Sequence, residues 1–225
     1  MVFDMTPQAA SPERTGGLRE RKKERTRRLI AETARRLFAE RGFERVPVAE
    51  IARAADVSEQ TVFNYFPTKE DLVYWRLGSF EEELLAAIRE REPGESVLAA
   101  FGRFVRAPRG MLAEHDEETR ERLAGVARMI GESPALMARE QQIFARYTDA
   151  LAELIAGEQG ARGGDVEPWV VANALMGVHR ALVDYSRRQV VAGARHPRLA
   201  EDIRAQAERA LARLEGGLGE YGVKR

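Results

Sequence analysis

Apolar residues recur along this chain at three- and four-residue steps, and no segment alternates apolar and polar, so the pattern predicts helices throughout and no strand. The first helix begins at about residue 18, carries the stripe Ile30, Ala34, Leu37 and Phe38, and stops at Gly42, read as the left-handed residue past its end. A short amphipathic helix follows over 48–55. The turn Asp56-Val57-Ser58 joins it to a second short helix; Asp56 stands where the turn wants a left-handed residue, and Ser58 is an N-cap. Phe66-Pro67-Thr68 breaks that helix, and Thr68 caps another carrying Leu72, Trp75 and Phe80, expected to run to about residue 91. Beyond Pro93-Gly94, Val97, Leu98, Phe101, Phe104 and Val105 lie at helical spacing up to Pro108, and a helix over 117–130 is stopped by Gly131. Ser133-Pro134 opens a long helix whose buried side includes Leu136, Met137, Phe144, Tyr147, Leu151, Leu154 and Ile155. Residues 157–164 read as a Gly-rich loop. Asp165 caps the next helix, apolar nearly all round over 169–178, and Pro197 opens a last one striped by Leu199, Ile203, Ala207, Ala210 and Leu214. Gly216-Gly217 is expected to end it and leave a frayed tail. The sum is an all-α chain of about nine helices.

The helix from Glu59 repays a closer look. At 100° per residue, Gln60, Asn64, Thr61 and Tyr65 share one arc, and Val62, Phe66, Glu59 and Phe63 share the other. Gln and Asn can each make two hydrogen bonds to an adenine edge. Thr offers a hydroxyl and a methyl, and Tyr a hydroxyl at phosphate reach. With the helix and three-residue turn before it, the stretch has the layout of a helix-turn-helix, with its second helix suited to a major groove.

The run from Gly42-Phe43 through Ile51-Ala52, Val57-Ser58 and Thr61 to Tyr65-Phe66-Pro67-Thr68-Lys69-Glu70 closely resembles the DNA-binding domain of the tetracycline-repressor (TetR) family of bacterial regulators. The resemblance covers roughly the first third of the chain. It implies base contacts from Gln60, Thr61 and Asn64, and phosphate contacts from Ser58, Tyr65 and Lys69. Two positions depart from the pattern. Val46-Pro47 stands where many relatives open the motif's first helix with Thr-Thr. Phe63 replaces a common Tyr; it cannot hydrogen-bond a phosphate, and it falls in the apolar arc.

Charge supports a division of labour. Lys plus Arg and Asp plus Glu both number 36, yet Arg19, Arg21, Lys22, Lys23, Arg25, Arg27 and Arg28 crowd before the motif against only Glu20 and Glu24. Acid gathers later, in Glu81-Glu82-Glu83 and between Glu114 and Glu121. With no cysteine there is neither a disulfide framework nor a thiolate site, which fits a reducing cytoplasm, and a nucleoid-associated location follows from the family. The most apolar run is too short for a membrane span, and the N-terminus lacks a leader pattern. His115, His179 and His196 share no metal-like spacing. No phosphate-cradle, dinucleotide or nucleophile motif is present, so neither metal, cofactor nor catalytic residue is expected.

The expected organisation is a disordered arm over 1–17, a three-helix DNA-binding domain over 18–66, and a helical effector-binding and dimerisation domain over 67–225. The resemblance implies a homodimer formed by the last two long helices, about 166–191 and 197–215. It also implies a ligand cavity in the larger domain, for which Phe101, Phe104, Phe144, Tyr147, Trp169, Asn173, Met176 and His179 are the candidates; rings with few polar groups suit a mostly apolar small molecule. Any single ring reads first as ordinary core, Asn173 and His179 also as satisfied polar groups in a dimer seam, and Arg180 with Asp184 as a surface pair. The function expected is a sequence-specific regulator, most simply a repressor released from a palindromic double-stranded operator by a small molecule. A ligand-independent architectural DNA binder and an enzyme with a stray helical hairpin are the alternatives.

Overall fold

Local signals set most of the helix boundaries. The computed structural model describes residues 16–75, 78–107, 117–193, 198–219 and 221–223 of the 225, and among these it is helical and strand-free. Ten helices run in order: α1 Gly16–Arg41, α2 Val48–Ala54, α3 Glu59–Tyr65, α4 Asp71–Tyr74, α5 Gly78–Arg89, α6 Val97–Arg106, α7 Glu117–Glu132, α8 Pro134–Gln159, α9 Glu167–Val191 and α10 Arg198–Leu218. The expected arm over 1–17 lies outside the described residues except for Gly16 and Gly17, which open α1; Pro108 and Pro197 also lie outside. The chain divides into two compact units between Val73 and Tyr74.

In the first unit α1 packs on α2 and α2 on α3, around Ile30, Ala34, Phe38, Phe43, Val46, Ile51, Val62, Phe66 and Leu72, all nearly fully buried. Gly42 ends α1 at φ +83°, its N–H donating to the Phe38 carbonyl at 2.8 Å. Asp56 sits at φ +54°, as the turn demanded of a residue tolerant of that region, and the turn is tight because of it. Asp56→Gly should therefore leave the unit's melting temperature unchanged or raise it, whereas Asp56→Val should cost about 1–2 kcal/mol; calorimetry on the full chain distinguishes the two.

In the second unit α8 and α9 pair along their length, α10 lies against α6 and α9, α7 against α8 and α9, and α5 against α6 and α8. Ser96 and Ser133 cap α6 and α8, accepting from the Ala99 and Leu136 N–H groups at 3.1 and 3.3 Å. α8 runs through Gly157 to Gln159 before Gly160, at φ +63°, ends it with the Ala161 N–H on the Ala156 carbonyl. That places the loop start three residues later than expected.

Three further expectations fail. The helix expected over 68–91 is not one continuous α-helix. Thr68 and Asp71 do cap α4 reciprocally, at 3.0 and 3.3 Å, but α4 ends at Tyr74, residues 76–77 lie outside the described residues, and α5 ends at Arg89. Second, Gly216 and Gly217 do not end α10, which continues to Leu218. Third, the tail is anchored rather than frayed. Gly222 is buried against Val97 and Gln159, and Arg91 Nη2 donates to its carbonyl at 2.8 Å. That anchor offsets the roughly 0.5–1 kcal/mol that each helical glycine forfeits. Among the described residues no helix is long and apolar enough to cross a membrane.

Candidate nucleic-acid interface

Ser58 fixes the start of α3. Its Oγ accepts from the Thr61 N–H at 3.0 Å and lies 2.8 Å from Thr61 Oγ1, so both hydroxyls are held at the helix entrance. Val62 and Phe66, 1% exposed each, bury the inner arc, and this sets the outward direction of the others. Gln60 and Asn64 are exposed, and Gln60 Nε2 donates to Asn64 Oδ1 at 3.1 Å. The second Gln60 N–H, Gln60 Oε1 and the Asn64 amide hydrogens remain, so the pair offers donors and an acceptor side by side. Thr61 and Tyr65 are half-buried beside it.

Phe63 corrects its assignment. It is 41% exposed, not packed inside. On the helical projection it lies at the edge of the apolar arc, 60° from Gln60, and the first unit's core closes over Val62 and Phe66 without reaching it. At the other departure from the family pattern, Val46 is fully buried, and Pro47 caps α2 without a side-chain hydrogen bond.

Lys69 is half-buried, its Nζ 4.2 Å from the Phe43 ring centroid and 5.8 Å from that of Phe38. Burial lowers its pKa, opposed by the nearby charges of Glu44 and Glu70. Removing the ammonium has a structural effect besides any lost phosphate contact: Lys69→Met should cost about 0.5–1 kcal/mol of stability through the lost cation–π contact, readable as a lower melting temperature. The basic end of α1 is exposed, and Lys23 Nζ lies 3.9 Å from Glu20 Oε1. Arg27 stacks its guanidinium over Phe66 at 5.6 Å.

In the second unit the structure gathers four of the candidate effector residues, Phe104, Phe144, Tyr147 and His179, into one ring cluster, and leaves Trp169 and Asn173 exposed. His179, on α9, stacks on Phe80 with centroids 4.4 Å apart and meets Phe144 edge-on at 5.6 Å. Phe80 also stacks on Tyr147 at 5.4 Å and meets Phe104 at 5.3 Å. Burial pushes the Tyr147 hydroxyl up to about 12, so it stays a neutral phenol at physiological pH. Phe101 and Met176 are buried in the core of the same unit. Trp169 is 40% exposed, and Asn173 faces outward with its Nδ2 donating to the Trp169 carbonyl at 2.8 Å; both lie on the outer side of α9, with Val166 and Val170 at 70% and 60% exposed. Arg180 does not pair with Asp184. Asp184 approaches Arg187 at 3.6 Å, and Arg180 lies over Phe144 at 5.6 Å. Phe80, the centre of the ring cluster, is the residue that the sequence reading passed over as one position on a helical stripe.

Residues 30–74 match the family model described as "Bacterial regulatory proteins, tetR family", and residues 92–218 match the "MftR C-terminal domain". The chain is 31% identical over 157 residues to the HTH-type transcriptional regulator TcmR of Streptomyces glaucescens, covering 69% of this chain and 70% of that protein. It is 57% identical over 44 residues to the HTH-type transcriptional regulator LuxR of Vibrio harveyi, 20% of this chain and 22% of that one. Among solved structures, NalD, the secondary repressor of the MexAB-OprM multidrug efflux pump in Pseudomonas aeruginosa, shares the fold with a TM-score of 0.53 at 24% identity, over 88% of this chain and 98% of that one.

Proposed function

The chain belongs to the TetR family of bacterial regulatory proteins and is a DNA-binding transcriptional regulator, and we propose that it is a homodimeric repressor whose two α3 helices read a palindromic operator. The observation that carries this reading is the exposed, mutually hydrogen-bonded amide pair Gln60–Asn64 on a helix capped by Ser58. Base-edge contacts fall to Gln60, Thr61 and Asn64, and phosphate contacts to Ser58, Tyr65, Lys69 and the basic end of α1. Dimerisation falls to α9 and α10: Val166, just before α9, and Trp169 and Val170 on it are apolar, adjacent and uncovered within one protomer. Selection from a random duplex pool tests the reading. A short inverted repeat bound by two protomers supports it, and binding without base preference supports an architectural role.

The ring cluster of Phe80, Phe104, Phe144, Tyr147 and His179 is the proposed effector site. Its rings occupy one another's space, so a mostly apolar ligand enters by displacing one of them, and it empties the operator by favouring the non-binding arrangement by a few kcal/mol. Phe144→Trp fills that space further. It should blunt release of DNA by apolar compounds while leaving operator affinity within twofold, measured by fluorescence anisotropy of a labelled duplex.

A further inference from the structure

Phe63 is the one large apolar side chain left uncovered on the described surface of α3, where its neighbours are polar. A ring 41% exposed to water gains by being covered, and none of the first unit's elements covers it. Side chains on a helix lean toward its N-terminus, so the ring lies over the turn of Glu59 and Gln60, beside the amide proposed to read adenine. Among base edges in a major groove, only thymine presents an apolar group, its C5 methyl. We propose that Phe63 is a specificity-determining residue, taking a thymine methyl next to the base read by Gln60. The inference rests on the operator-reading role proposed for α3.

The helix geometry places that thymine. Residues three apart on a helix surface have Cβ atoms about 5–6 Å apart, and bases step by about 3.4 Å along a strand. The Phe63 thymine therefore lies within two base pairs of the Gln60 adenine. Phenylalanine reads the methyl with no competing hydrogen bond.

Deoxyuridine keeps the pairing of thymine and removes only the methyl, so it isolates this contact. The full chain and its Phe63→Ala and Phe63→Tyr variants would be titrated against the duplex selected from a random pool, with each thymine replaced in turn. Burying one methyl-sized group corresponds to about fourfold in affinity per half-site, or about fifteenfold when both half-sites are substituted. The wild-type chain should lose that much at one symmetry-related thymine within two base pairs of the position that Gln60→Ala relaxes. Phe63→Ala should bind the unmodified duplex more weakly and show no loss on substitution there, while Phe63→Tyr, whose hydroxyl competes for a phosphate, shows a smaller loss than the wild type. Because Phe63 is exposed, its alanine variant should melt with the wild type, so weaker binding does not reflect unfolding. Deoxyuridine tolerated at every position, or a loss that persists in Phe63→Ala, overturns the inference and leaves the operator-reading role standing. A pool that yields no preferred sequence overturns that role and the inference together.

Discussion

Arg91→Met is expected to destabilise the second unit by about 3 kcal/mol, a large effect for a residue in the charged run Arg89-Glu90-Arg91-Glu92. The Arg91 side chain is 1% exposed and pairs with Glu158 at 2.7 Å. Its guanidinium also donates to the carbonyls of Ile88, Glu95 and Gly222 at 2.6, 3.2 and 2.8 Å. Methionine fills the volume but leaves these acceptors without their donor. Glu158 is 26% exposed on its side chain and can rehydrate, which places the cost at the low end of the usual range for a broken buried pair. Lysine is no substitute, since one ammonium cannot reach three carbonyls and a carboxylate in a planar fork. Pairing Arg91→Met with Glu158→Gln should recover part of the loss. Gly222→Ala tests the far end of the same clamp. With φ at +63° and a new Cβ 2.7 Å from Val97 Cγ2, it should also lower stability. Denaturant unfolding of the full chain, followed through the second unit's transition, checks all three. A loss under 1 kcal/mol in Arg91→Met would mean the tail is not anchored through this residue.

Nothing in the sequence marked Arg91, because an arginine among alternating charges has the same local pattern whether it is solvated or turned inward. Its partners lie as far away as residue 222. The helix-turn-helix was legible for the opposite reason. Gly42, Asp56 and Ser58 act within four residues of themselves, through backbone conformation and caps, so local chemistry was sufficient. Gly216 and Gly217 misled because their helix-ending tendency is outweighed by a tail anchored elsewhere. Phe63 sits at the edge of a helical arc, and only the placement of the core around Val62 and Phe66 decides which way such an edge faces. Phe80 was visible as a helical position, but its ring partners come from α6, α8 and α9, and no spacing within α5 encodes that meeting.

Gln60→Ala and Asn64→Ala are each expected to weaken operator binding by about 1–3 kcal/mol and to relax preference at a few positions of the site. Because Gln60 Nε2 donates to Asn64 Oδ1, each amide orients the other, and removing one frees its partner to rotate. The two losses should therefore not add: the double variant should cost less than the sum of the single ones, the deficit being their coupling. Lys69→Ala serves as the contrast. It should weaken all sequences alike and flatten the salt dependence by about one charge. Base preference unchanged in both single variants would remove the exposed arc of α3 from the readout.

A hydroxyl-radical footprint of the full chain on its selected duplex tests the central claim most directly, because it records geometry rather than affinity. Two α3 helices related by a twofold axis should protect two symmetric patches on one face of the duplex, their centres one helical turn, about 10–10.5 base pairs, or a whole multiple of it apart. A single unsymmetric patch, or protection spread evenly along any duplex offered, would contradict the reading of this chain as a dimeric, sequence-specific regulator.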